Sequence, residues 1–293
     1  MGLGEFLSLL CALLWAFAVI FYKRAGDHFN AYEMNLFKSA FVLLLMIPTV
    51  LLTDGLTIPA MSHYQFWIIM LSGFFGIMLA DLFYLRALQL IGASLTGITG
   101  SLYSPFVVAL SLLFLGEYLQ FWQYVGMILV LSGVVLVGYR RKALAIEHPP
   151  IRGFVYATLA VFFTALGIVI IKPVSSELPF FWIILIRSFG GFITMIMYGL
   201  ILKKSLSIMH VIRAKGGHWL ILGAFIGQYL SMMVWIAGYK YTSASIASIL
   251  NETASIFILI LSWLMLGEYL TKRKILGVII TISGVLLVLS INT

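Results

Sequence analysis

The chain has 293 residues, of which 62% are hydrophobic and 10% charged, with a mean hydropathy of +1.11 and a net charge of +8. Soluble domains carry about 25% charged residues, so a soluble domain is excluded and the composition specifies an all-α integral membrane protein. The single cysteine, Cys11, excludes an internal disulfide and any multi-cysteine metal site, and the positive charge reads as loops facing anionic lipid rather than nucleic acid.

A helix crosses a bilayer with about 20 mostly apolar residues. In chain order such windows fall at 3–22, 31–52, 64–85, 93–115 and 122–139, then at 153–171, 178–202, 218–237, 243–266 and 275–291, which makes ten transmembrane helices. The first stretch lacks the basic start of a signal sequence and carries Glu5, so it reads as a membrane helix. The runs are continuous rather than alternating, which selects helices over a barrel. The polar break at mid-chain carries Pro149 and Pro150 and marks the seam. The expected organisation is a first five-helix repeat at 1–139, a cytosolic linker at 140–152 and a second five-helix repeat at 153–293.

The repeat is written in polar residues. "LGEYL" stands at 115–119 and again at 266–270, and an offset of 151 also pairs Ser104 with Ser255, Gly126 with Gly277, and Ser132-Gly133 with Ser283-Gly284. Upstream the offset is 149 and pairs Gly4 with Gly153, Lys23 with Lys172, and Lys38-Ser39 with Arg187-Ser188. Five crossings per repeat is odd, so the halves enter the membrane from opposite sides and are inverted, a recurring transporter architecture with a central site.

Charge inside a membrane is costly and marks candidate function. Lys38 falls in the second span and Arg187 in the seventh, Asp81 late in the third, and Glu252 near the middle of the ninth beside Asn251. Opposite charges at similar depth suggest two pairs, Lys38–Asp81 and Arg187–Glu252. Such pairs either lock helices together or line a cavity that binds charged groups, and Arg187 and Glu252 are assigned to the cavity. Among the aromatic residues in or near spans, Trp15, Tyr84, Tyr103, Tyr229 and Trp235 are candidates for the cavity or for interfacial packing. Tyr103 stands out because Ser101, Ser104 and Pro105 flank it, and a proline inside a span frees a carbonyl that only a protein-lined or wet place tolerates. Gln228 forms a second polar pair with Tyr229. Glu117 and Glu268, in the repeated pentapeptide, are expected at the N-terminus of the following helix, where negative charge is favoured. Gly133 and Gly284, in the last span of each half, suit a close contact between repeats or between subunits.

The doubled "LGEYL", the glycines of "VGMILVLSGVVLV" (125–137) and "LGVIITISGVLLV" (276–288), Ala87, and "SLYSPFV" (101–107) with its proline carry a resemblance over residues 4–290. The chain resembles the EamA-like branch of the drug/metabolite transporter superfamily. The resemblance implies an exporter or exchanger of small metabolites or amino acids working by alternating access, with spans 1, 3, 4, 6, 8 and 9 along the path. Two departures matter. Ile256 replaces the second proline, and Trp15 and Thr164 stand where small multidrug relatives place a carboxylate, so their proton-exchange mechanism does not carry over.

The five histidines lie in loops or at span edges, and no metal-ligand spacing or nucleotide-binding motif is present. The expected partners are a small-molecule substrate and the lipid bilayer, with no cofactor, metal or nucleic acid, in a monomer or homodimer that is not an enzyme. A channel or facilitator is the competing reading and a membrane-embedded enzyme a more remote one; saturable counterflow separates a carrier from a channel, and covalent product formation would reveal an enzyme. Fourteen of the eighteen Lys and Arg fall in one set of loops, Lys172 and Lys240 in the other, and Lys38 and Arg187 within spans. By the positive-inside rule, both termini lie outside the cytosol of a multi-pass cell-membrane protein. A reporter fused after Thr293 is therefore expected to read as extracytoplasmic, and a cytosolic signal would overturn the topology.

Overall fold

The computed structural model describes residues 2–55, 57–138, 150–205, 208–266 and 272–290. Most of the expected linker, the second copy of the pentapeptide from Gly267 to Leu270 with Glu268, and Thr293 lie outside the described residues. Among the described residues the chain is helical throughout, with no strand. The helices are α1 (Leu3–Ala25), α2 (Ala31–Thr53), α3 (His63–Gly73), α4 (Ala80–Gly100), α5 (Tyr103–Leu115), α6 (Phe121–Gly138) and α7 (Ile151–Ile171). They continue as α8 (Phe180–Ile201), α9 (Met209–Arg213), α10 (Gly217–Gly223), α11 (Met232–Tyr241), α12 (Ala244–Asn251), α13 (Ala254–Leu266) and α14 (Lys272–Ser290).

Six segments are long and apolar enough to cross a membrane, and four shorter apolar helices accompany them. Polar residues at the ends set where helices begin. Asn30 Oδ1 accepts the Glu33 N–H at 3.0 Å while Glu33 Oε2 accepts the Asn30 N–H at 3.0 Å, a reciprocal cap that satisfies two donors otherwise left over at a helix start. Ser62 and Gln65 repeat the device at α3. Gly116 ends α5 in the left-handed region, at φ +64, which glycine enters without a Cβ clash.

Two features were not expected from hydropathy. A π-helical turn at Phe74–Leu79 joins α3 to α4, and another at Ala224–Ser231 joins α10 to α11, close to repeat-equivalent positions. The sequence break expected between residues 85 and 93 is also absent. The backbone stays helical through Ala80–Gly100, because no proline or capping residue interrupts "RALQLIG" and hydropathy alone cannot distinguish a loop from a weakly apolar helical stretch. In the second half the matching junction does open, at Thr242–Ser243 between α11 and α12.

Each half also carries a broken helix. The chain turns at Ser101–Leu102 between α4 and α5, and at Glu252–Thr253 between α12 and α13, positions that the 151-residue offset superposes. Small residues bring the halves together. Gly4 of α1 abuts the backbone of Tyr241 and Thr242, while its counterpart Gly153 of α7 abuts Leu90 and Ile91, so each repeat's first helix packs against the other's third span. In α6 and α14, a Cβ on Gly126 would lie 2.9 Å from the Gly284 carbonyl, and one on Gly133 would lie 2.6 Å from the Gly277 carbonyl. The glycines of the last spans thus make a contact between repeats. Overpacking such a contact costs about 1–3 kcal/mol, so Gly133→Ala is expected to lower the melting temperature in detergent. Gly100→Ala, whose new carbon meets nothing within 4 Å, is expected to leave it unchanged.

Candidate functional site

A cavity of about 250 Å³ lies among α1, both π-helical turns, α4, α5, α7, α8 and α11–α13. Its wall pairs residues that the repeat makes equivalent. Trp15 corresponds to Thr164 (offset 149), and Gly76 to Gly227, Asp81 to Met232, Tyr84 to Trp235 and Gly100 to Asn251 (offset 151), and all ten line the cavity. Both repeats therefore contribute equivalent positions to its wall. The correspondence is positional and not chemical, since a methionine takes the place of an acid and a threonine that of an indole.

Nine of the expected residues line this space: Trp15, Asp81, Tyr84, Tyr103, Arg187, Gln228, Trp235, Asn251 and Glu252. Three do not. Lys38 stands behind the wall, Tyr229 turns away so that its hydroxyl meets Thr49 Oγ1 at 2.6 Å, and Ser101 is buried beside the broken helix. Cys11, Thr96, Ser231 and Ser255 join the lining, although nothing in their sequence context set them apart from other small polar residues in spans. Gly76 and Gly227 were detectable as a repeated pair.

The charges divide unequally. Lys38, 1% exposed, donates from Nζ to Asp81 Oδ2 at 2.9 Å, and its ammonium lies 4.9 Å from the centre of the Tyr22 ring. The first expected pair is thus an ion pair. The second expected pair does not form. Glu252, 6% exposed, turns its Oε1 to the Ser104 N–H at 3.2 Å, at the start of α5 in the other repeat. A carboxylate is favoured at such a helix N-terminus. Arg187, 1% exposed, lies against Gly76 with its guanidinium carbon 5.1 Å from the centre of a Trp235 ring. Similar depth along the membrane normal says nothing about rotation around each helix, and Arg187 and Glu252 approach the cavity from different walls.

Arg187 Nε and Nη1 are buried without a hydrogen-bond partner, as are both polar atoms of the Asn251 carboxamide. Buried donors left unmade are costly, so unpartnered ones call for an explanation. Here they sit in the wall of a cavity, with Trp15, Tyr84 and Trp235 around them and Trp15–Tyr84 ring centroids 6.3 Å apart. The arrangement can receive a small molecule that carries an anionic group and an apolar body. The volume falls just below the range of about 300–1,000 Å³ typical of drug-sized pockets, which suits a small metabolite.

Glu117 departs from its expected place. The start of α6 is satisfied within its own first turn, where the Gln120 N–H donates to Gln123 Oε1 at 2.7 Å. Glu117 reaches across to the second repeat, accepting from the N–H groups of Ala244 and Ser245 at the start of α12, both at 3.2 Å. It is a helix-capping acid, but for a helix 127 residues away along the chain.

An all-helical membrane protein that repeats itself around a mostly apolar, aromatic-lined cavity with a few buried polar groups has the build of a small-molecule carrier. The chain belongs to the EamA-like transporter family, whose model matches it twice, at residues 2–139 and 151–290. It is 25% identical to an uncharacterized transporter of Archaeoglobus fulgidus over 287 residues, covering 97% of this chain and 96% of that protein. A protein crystal structure at 15% identity shares the fold, with a TM-score of 0.76 and 98% of both chains covered.

The Lys38–Asp81 pair yields a stability prediction. Removing one partner of a buried pair leaves a bare charge and costs about 3–5 kcal/mol. Asp81→Asn is therefore expected to lower the melting temperature sharply, and Lys38→Met combined with Asp81→Asn to recover much of the loss. An additive double variant would show that the two side chains do not depend on each other.

Proposed function

We propose that the protein is a secondary transporter that moves a small zwitterionic or amphipathic metabolite, an amino acid first among them, as an exporter or exchanger working by alternating access. The observation that carries this reading is the cavity itself, where a fully buried Arg187 presents unpartnered nitrogens beside an acid, an amide and three aromatic rings. A guanidinium binds a carboxylate in a fork of two parallel hydrogen bonds. Glu252 and Asn251, at the broken helix opposite, supply acceptors for an ammonium group. Trp15, Tyr84 and Trp235 offer the apolar remainder a surface.

In this reading the chain makes ten crossings as two inverted halves, 1–139 and 153–293 joined by a cytosolic linker at 140–152, with both termini outside the cytosol of the cell membrane. The helix breaks beside the cavity support it, because unwound backbone within a membrane is tolerated only where it is buried in protein or lines a cavity, and inverted-repeat carriers place their sites at such breaks. The two halves then rock about the shared cavity.

The test is counterflow in proteoliposomes with a mixture of labelled amino acids, with and without an imposed pH gradient. Saturable exchange of at least one component is expected. Glu252→Gln is expected to reduce it to background while expression and melting stay near wild type. Undiminished exchange by that variant would return Glu252 to helix packing, and a well-folded wild type that exchanges no amino acid would refute the substrate class.

A further inference from the structure

Between the cavity and the ends of α5, α7 and α11 stands a polar cluster that substrate binding does not use. Tyr103, in the cavity wall, is hydrogen-bonded hydroxyl to hydroxyl with Tyr239, which is 1% exposed and packs edge-on against Trp235 with centroids 5.4 Å apart. Beyond it, Lys172 Nζ donates to the carbonyls of Tyr239 at 2.6 Å and Thr242 at 2.5 Å, the free end of α11. The same ammonium lies 3.7 Å from Glu117 Oε1, and both side chains are 18% exposed. Glu117 in turn caps α12 through Ala244 and Ser245. Burial lowers the pKa of Lys172, and Glu117 works against that shift.

The cluster has a direction and a division of labour. Tyr103 and Glu117 belong to the first repeat, while Lys172, Tyr239 and the start of α12 belong to the second. Lys172 neutralises the negative end of α11 and Glu117 the positive end of α12, so the acid and the base bind helix termini and each other at once. Glu117, from the first repeat, touches both the Lys172 ammonium and the start of α12.

We propose that these residues form a two-layer gate closing the cavity on the side of the α5–α6 and α11–α12 turns, with Tyr103–Tyr239 as the inner layer and Glu117–Lys172 as the outer. The inference rests on the transporter reading, since a rigid cavity would need no gate. Parting of the repeats on this side must break the contacts that cross between them, Tyr103–Tyr239, Glu117–Lys172 and Glu117 to the start of α12, and Glu117 is the residue whose neutralisation loosens most of them.

The test reads access rather than transport. In a Cys11→Ala, Thr164→Cys background the only thiol lines the cavity, and its labelling by a membrane-impermeant maleimide is followed in vesicles of known orientation without substrate. From the face that carries the α5–α6 turn, Glu117→Gln is expected to raise the labelling rate about tenfold, the scale on which losing a charge-assisted contact shifts a two-state equilibrium. Tyr239→Phe, which removes only one hydroxyl, is expected to raise it less, and it decides the matter if Glu117→Gln fails to fold. Rates equal to background in a folded variant would overturn the gate. The two readings fail separately, because exchange with unmoved labelling sinks the gate alone, whereas raised labelling without amino-acid exchange sinks the substrate class and leaves the gate.

Discussion

Lys38 and Arg187 occupy equivalent places in the two repeats, and each is 1% exposed. Burying a cation away from water is tolerated only if something else solvates it. The first half answers with a direct ion pair to Asp81 and a tyrosine ring. The second half answers with an indole face, and leaves two guanidinium nitrogens unpartnered in a cavity wall. The rest of the site is arranged around that imbalance. Gly76 has no side chain because the guanidinium occupies the space a Cβ would need, and the π-helical turn that carries it lets α3 and α4 pass Arg187 closely.

The two repeats keep equivalent positions around the cavity while their chemistry has diverged. Thr164 takes the place of Trp15 and Met232 that of Asp81. The divergence leaves the lining chemically unsymmetrical: of the equivalent cations Lys38 and Arg187 only Arg187 lines the cavity, and Glu252 lines it where the first repeat has Ser101 set back from it.

Much of this could be read from the sequence. Helicity follows from unbroken apolar runs, and the repeat follows from glycines, serines and charges at fixed offsets. Nine cavity residues were identified because polar and aromatic side chains within spans are few. What the sequence left open depends on rotation and local backbone geometry. Equal depth suggested that Arg187 and Glu252 pair, but the faces of their helices direct them to different walls. Tyr229 and Gln228 are neighbours in the chain, yet only Gln228 faces the cavity, because successive side chains on a helix point about 100° apart. Glu117 was recognised as a capping acid, but the helix it caps is brought close only by the packing of the two repeats, which no local pattern records.

The crossing of α6 and α14 has one more implication. Gly126 meets Gly284 while Gly133 meets Gly277, and the offset of 151 turns the first contact into the second. The surface is self-complementary, the isologous kind that two identical subunits make across a two-fold axis, here realised inside one polypeptide. Everything that contact requires is already contained in a single repeat. Joining two such units in one chain leaves the contact unchanged and frees the rest of each copy, cavity walls included, to vary independently.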